Sequence, residues 1–143
     1  DLGGGMGITV LRPLIVCGPS GVGKGTIIER FMSTDSPFLG SSRFGFAVSH
    51  TTRDPRPGEV DGKHYHFVTA EAMSEAVSQG AFLEHAEVHG NLYGTSLASL
   101  ENVQASGRIP LLDIDVQGAR SVKKAREERD SRLKSLQGEG TGP

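Results

Sequence analysis

Short apolar runs alternate with polar, helix-forming stretches along most of this 143-residue chain. Leu14–Cys17 is wholly apolar, which predicts a parallel strand buried on both faces, with Cys17 as a small core residue. The Gly-rich segment Gly18–Gly23 follows, and Lys24–Met32 has helical character. Further strands are predicted over Phe44–Ser49 and His64–Phe67. Between them Thr51–Gly62, dense in proline, glycine and charge, reads as an exposed loop. Thr69 predicts the cap of a helix reaching about Gln79, with Glu71 in its first turn and Gly80 past its end. Phe82–Val88 alternates as a strand does, and His89-Gly90-Asn91 makes the turn after it. Thr95 predicts the cap of a helix to about Ser106 that Gly107 stops. Pro110–Ile114 is nearly all apolar, with the proline at the first strand position, where it is tolerated. A charged helix is predicted from Val116 to about Leu136. Strands alternating with helices predict an α/β architecture.

Composition narrows the functional classes. Fifteen Lys and Arg stand against 17 Asp and Glu, a net charge of −2, which argues against a general polyanion binder, so no nucleic-acid partner is expected. One cysteine excludes an intramolecular disulfide framework and a Cys-rich zinc site. His64 and His66 share the face of their predicted strand, but no carboxylate or cysteine set completes a metal site with them. No apolar run approaches the ~20 residues of a membrane-spanning helix, so the expectation is a cytoplasmic protein without a membrane partner. An organelle stays open should a targeting segment precede Asp1. The glycines cluster in three places: near the two ends, where they read as flexible tails, and at Gly18, Gly21, Gly23 and Gly25, where they read as a site.

That middle cluster is Gly18-Pro19-Ser20-Gly21-Val22-Gly23-Lys24-Gly25-Thr26, lying between an apolar strand and a helix. Phosphate binding needs this arrangement. Glycines let backbone N–H groups curl around the anion, and the helix N-terminus adds the positive end of its dipole. Lys24 is placed to neutralise the β- and γ-phosphates of a nucleoside triphosphate. Gly25 follows the lysine and Thr26 comes one place later than in the commonest pattern, a Gly-Lys-Gly-Thr form similar to that of nucleoside monophosphate kinases. Thr26 is thus a candidate phosphate or magnesium contact.

A second string, Ser49-His50-Thr51-Thr52-Arg53-Asp54-Pro55-Arg56-Pro57-Gly58-Glu59-Val60-Asp61-Gly62-Lys63-His64-Tyr65-His66-Phe67, closely resembles the guanine-nucleotide acceptor segment of guanylate kinases. Arg53 and Arg56 on one loop can grip a phosphate through bidentate bonds, which a lysine cannot do with the same geometry. The resemblance continues through Phe82-Leu83-Glu84, Gly90–Thr95 and Leu111–Gly118, and covers about residues 14–124. It implies a P-loop NTPase-type three-layer fold, with a parallel core sheet and a small mixed β subdomain for GMP over about residues 49–95. Residues 1–13 would be a flexible lead and 125–143 a charged helix with a Gly-rich tail.

By motif position Arg53, Arg56, Tyr65 and Tyr93 would hold the GMP phosphate. Ser49, Glu84 and Thr95 would read the guanine, and Asp113 or Asp115 would assist at the base or at magnesium. Guanine's adjacent N1–H and N2–H₂ donors suit a single carboxylate. Glu59, among these acceptor-site residues, reads more naturally as the anchor of the arginine loop. Taken alone, Glu84 reads as a surface carboxylate, Tyr93 as a packing residue, and Asp113 or Asp115 as a helix cap. The implied reaction is ATP + GMP giving ADP + GDP with Mg²⁺ carried by the nucleotide, Thr26 or Asp113 assisting, and Lys24, Arg53 and Arg56 as its catalytic residues.

Lys123–Pro143 departs from the family pattern, since it holds no apolar strand. The arginine-bearing lid and last strands of the family are therefore expected to be missing, which makes the fold a C-terminally truncated one. Leu14–Cys17 would then be an exposed apolar edge. The rival to an active kinase is an impaired guanylate-kinase-like module, or a fragment, that binds GMP or a phosphopeptide.

Overall fold

The computed structural model describes residues 12–18 and 23–138. Pro19, Ser20, Gly21 and Val22 of the expected phosphate loop, and the outer parts of both tails, lie outside them. The chain forms an α/β fold with strands β1 (Leu14–Cys17), β2 (Phe44–Phe46), β3 (His50–Thr51), β4 (His66–Phe67), β5 (Phe82–Val88), β6 (Asn91–Ser96) and β7 (Ile109–Ile114). The helices are α1 (Lys24–Met32), α2 (Ala70–Ser78), α3 (Leu97–Ala105) and α4 (Val116–Gly138). Two sheets result. One is parallel with order β1-β7-β2, the other mixed with order β4-β3-β6-β5.

The two sheets share one core. Ala47, Leu100, Leu112 and Ile114 are buried together, with Ile15, Leu83, Ala119 and Val122 packed against them. The C-terminal end of β7, the first turns of α4 and the start of β5 are thereby fixed around one another. The cleft described below opens there.

Several expectations need correction. The run Phe44–Ser49 is not one strand. It stops at Phe46, Ala47 N–H still donates to Leu111 O, and by Ser49 the carbonyl accepts from His66 in the other sheet. An even apolar pattern cannot signal this change of partner. The strand expected at His64–Phe67 contracts to His66–Phe67, leaving His64 in the preceding turn. Pro110 is the second residue of the central strand β7, not its first. It is tolerated because the β1 ladder begins at Leu14 opposite Leu111, beyond the missing N–H.

Cys17 is exposed, and Leu14 is 42% exposed, because β1 is an edge of the described parallel sheet and not a strand covered on both faces. Thr95 does not cap α3. β6 continues through Ser96, and the Ser96 hydroxyl accepts from Ser99 N–H at 3.1 Å. Both residues are good caps. The strand pairing chooses between them, because Thr95 is held opposite Glu84 in the ladder.

Elsewhere pattern and structure agree closely. Thr69 accepts from Ala72 N–H at 3.2 Å and starts α2. His89 and Gly90 have φ of 50° and 80°, a left-handed pair that closes the β5–β6 hairpin, since such turns match the twist of the strands. Helix α4 passes without interruption through residues 124 and 125. Burial is what changes along it: Gly118 is buried, while every residue from 123 to 129 is exposed. The ion pairs on that outer part, Lys123–Glu127 and Arg126–Asp130 at i,i+4 and Arg129–Asp130 beside them, are exposed, and such pairs contribute little. No described helix is long and apolar enough to cross a membrane.

Candidate functional site

At the loop after β3, Arg53 is held in place before any ligand arrives. Its guanidinium donates to both oxygens of Glu59, at 2.8 and 3.0 Å, and to Asp54 O at 3.0 Å. Glu59 Oε1 also accepts the backbone N–H of Arg56 at 2.7 Å, so one carboxylate pins both arginines of the loop. The Arg53 guanidinium lies 5.3 Å from the Tyr65 ring centre, a cation–π distance. Its bond to Arg53 holds the Glu59 carboxyl down at about 2, and Arg53 keeps its proton more tightly than usual because of the same bond. Arg56 is exposed, and its guanidinium has no hydrogen-bonded partner among the described residues.

The second part is built by a β-bulge. Phe82 pairs with Ser96 and Glu84 with Thr95, which leaves Leu83 as the extra residue. The bulge lets neighbouring side chains both go inward, Leu83 to the core and Glu84 to the site, which a regular strand alternation forbids. Glu84 is 6% exposed, and its Oε1 accepts the Thr95 hydroxyl at 2.9 Å. With that proton committed, the Ser49 hydroxyl, 3.5 Å from Thr95 Oγ1, is the donor of the next link. Burial raises the proton affinity of Glu84 above that of an ordinary carboxylate, and the Thr95 hydroxyl partly offsets this. The other oxygen, Oε2, lies over Gly118 in the first turn of α4; a Cβ there would come within 2.9 Å of it. Gly118 N–H in turn donates to Asp115 Oδ1 at 2.7 Å, so Asp115 caps α4.

The third part is the start of α1. Lys24 Nζ stands 2.9 Å from Asp113 Oδ1 at the end of β7. Gly23 has φ of 83°, a left-handed turn into the helix that suits glycine. Tyr65 and Tyr93 stand beside one another, with rings 6.1 Å apart, and Tyr65 lies against Arg53. Burial, and then the charge of Asp113, raise the Tyr65 phenol above its usual value, so it stays a donor.

All three parts face one cleft of about 660 Å³. Of the residues singled out from sequence, Gly23, Lys24, Gly25, Thr26, Ser49, Arg53, Arg56, Tyr65, Glu84, Tyr93, Asp113 and Asp115 line it. Two do not. Thr95 is fully buried and touches Glu84 in place of the cleft, and Glu59 stands behind Arg53. Sequence reasoning passed over His89, whose left-handed turn brings it to the rim, and the role of Gly118. The turn glycine beside His89 was the available signal for the first. Nothing in the pattern marked the second.

Known proteins resemble this chain over most of its length. The family model described as guanylate kinase matches residues 10–129. The chain is 54% identical over 113 residues to a guanylate kinase of Sus scrofa, covering 79% of this chain and 54% of that protein. It is 52% identical over 112 residues to one of Homo sapiens, covering 78% and 54%. The crystal structure of guanylate kinase from Anaplasma phagocytophilum superposes with a TM-score of 0.61 at 36% identity, covering 80% of this chain and 54% of that one. The chain thus spans about half the length of these relatives.

Proposed function

We propose, on the premise that the chain belongs to the guanylate kinase family, that it transfers the γ-phosphoryl group of ATP to GMP, giving ADP and GDP. The observation that carries this reading is the single cleft in which Lys24 at the start of α1 faces the arginine loop and the buried Glu84. A nucleotide phosphate at each end leaves its neighbour within reach of in-line transfer.

Arg53, rigidly placed by Glu59, and the uncommitted Arg56 receive the GMP phosphate, with the phenols of Tyr65 and Tyr93 beside them. Glu84 accepts guanine's N1–H and N2–H₂, and Ser49 lies next to it along the same hydroxyl chain. Thr95 acts through Glu84. The backbone of residues 18–26 and Lys24 hold the ATP phosphates, Lys24 turning from Asp113 to the β- and γ-oxygens. A GMP phosphate oxygen then attacks the γ-phosphorus, and the bond to the β-phosphate oxygen breaks. The attacking oxygen is already anionic, so no strong base is required, and positioning with charge stabilisation does the work.

The oxygen donors Thr26 and Asp113 fit Mg²⁺, which prefers nucleotide phosphates and water with one or two protein oxygens. Bound there, it would neutralise charge on the β- and γ-phosphates.

The test is steady-state production of ADP and GDP from ATP, GMP and magnesium, with AMP as a competing acceptor and Lys24→Ala as control. Turnover that prefers GMP and vanishes in the control is expected. Equal turnover with AMP would refute the role of Glu84. GMP binding without turnover in the unaltered chain would replace the kinase reading by that of a binding module.

A further inference from the structure

The segment from Glu59 to Tyr65 touches Arg53 at both of its ends, through the Glu59 carboxylate and through the Tyr65 ring. One side chain ties the start of the segment to its later residues, beside backbone bonds that include Gly62 N–H to Tyr65 O at 2.7 Å. The Val60 N–H donates to His64 Nδ1 at 2.8 Å, while Val60 O accepts the backbone N–H groups of Lys63 and His64 at 3.2 and 3.0 Å. The backbone bonds form a turn of their own. Among the described residues the Val60 N–H, next to Glu59, has only the imidazole as acceptor. Accepting it requires a lone pair on Nδ1, so the ring is neutral with its proton on Nε2.

We propose that His64 is a positioning residue for the acceptor arginines: its neutral imidazole latches Val60, and its protonation loosens the grip of Arg53 and Arg56 on phosphate. The proposal rests on the GMP reading for its ligand, but the latch itself does not. A protonated ring carries N–H on both nitrogens and faces the Val60 N–H donor to donor. Glu59 then loses the backbone restraint on its own C-terminal side.

The charged groups around the ring have partners of their own. Asp61 is occupied by the Phe67 N–H at 2.9 Å, and Glu59 by Arg53 and the Arg56 N–H. Lys63 is exposed. On β4, His66 stacks on His50 of β3, at 4.6 Å between ring centres. Among the described residues no acid or base forms an ion pair with His64.

The experiment compares the unaltered chain, His64→Asn and His64→Phe between about pH 5 and 8, by GMP calorimetry and by the exchange protection of the Val60 amide. Asparagine offers an oxygen close to the Nδ1 position that gains no proton in this range. Phenylalanine keeps a flat ring and offers no acceptor. GMP's own phosphate titrates near ~6, and His64→Asn records that contribution alone.

The expected result at neutral pH is GMP affinity near that of the unaltered chain for His64→Asn, and affinity about two- to tenfold weaker for His64→Phe, the loss of one net hydrogen bond. On acidification the unaltered chain loses more affinity and more Val60 protection than His64→Asn. Superimposable pH profiles of these two, or His64→Phe binding as tightly as the unaltered chain, would overturn the proposal. Should the unaltered chain bind no GMP, the functional reading fails, and Val60 protection still decides the latch. Protection that falls with acid only in the unaltered chain supports it, and protection equal in both refutes it.

Discussion

Gly118→Ala separates the reading of guanine from the stability of the fold. A Cβ at residue 118 would stand 2.9 Å from Glu84 Oε2, and 3.4 Å from Asp115 Oδ1 and Ile114 Cβ. Only the first is too close, and a shift of about half an ångström in the carboxylate restores ordinary contact. Because the obstacle is the end of a side chain and not backbone, the steric cost to folding is small. Against it stands a helix gain of at most about 1 kcal/mol, reduced because residue 118 lies in the first turn of α4.

Net stability should therefore move by less than about 1 kcal/mol, a Tm shift within about 4 °C. The carboxylate cannot swing freely, however, since Oε1 is held by Thr95 at 2.9 Å. Displacing it degrades charged hydrogen bonds worth about 1.5–3 kcal/mol each. Losing half of one such bond to guanine weakens GMP binding by about three- to tenfold. Calorimetric GMP titration beside a thermal melt reads both quantities. A Kd within about twofold of the unaltered chain would show that the glycine does not position Glu84, and a fall in Tm of 10 °C or so would show that the first turn of α4 cannot yield as argued.

Thr95→Val keeps shape and removes the buried hydroxyl, leaving Glu84 Oε1 without its donor; stability should fall by about 1–3 kcal/mol in urea melts, and GMP should bind more weakly. Glu59→Gln tests the arginine clamp through pH. The folded carboxyl sits at about 2, below its ordinary value of 4.5, so its contribution is present above about pH 4.5 and is lost as pH falls toward about 2. The unaltered chain should lose Tm over that acid window more steeply than Glu59→Gln, and parallel curves would refute the clamp.

Local rules made much of the fold legible. The cap at Thr69, the turn at His89-Gly90 and the limits of β5 depend on neighbours within a few residues, and they stand where the pattern puts them. What failed were decisions made by distant partners. The Phe44–Ser49 run divides between two sheets because its hydrogen-bond partners change from β7 to β4 while its own alternation does not. Thr95 and Ser96 compete for one cap, and the bulge at Leu83, invisible in a single strand, settles it. Cys17 looked like core because a four-residue apolar run carries no information about how many neighbours its strand has. The site residues were named from motif order, and that order brought most of them to one cleft. Which of them touch one another, as Glu59 touches Arg53 and Thr95 touches Glu84, required the fold.

The two ends of the proposed acceptor site use opposite physics. At the phosphate end the charges are partly wet and already paired: Arg53 meets Glu59 through two hydrogen bonds, and a phosphate would add to that network. Such an end supplies attraction, and salt screens it. At the base end Glu84 has been taken out of water with one hydroxyl as compensation, and its raised proton affinity records the deficit. A ligand with two adjacent donors makes good that deficit. Adenine, whose corresponding edge carries an acceptor, leaves a buried charge facing a lone pair, a mismatch that costs far more than a missing contact does. On the proposed function, discrimination between purines would reside in the burial of Glu84, which Leu83, Thr95 and Gly118 enforce from behind the cleft. Added salt should weaken both nucleotides at the arginine loop while leaving their ratio to Glu84.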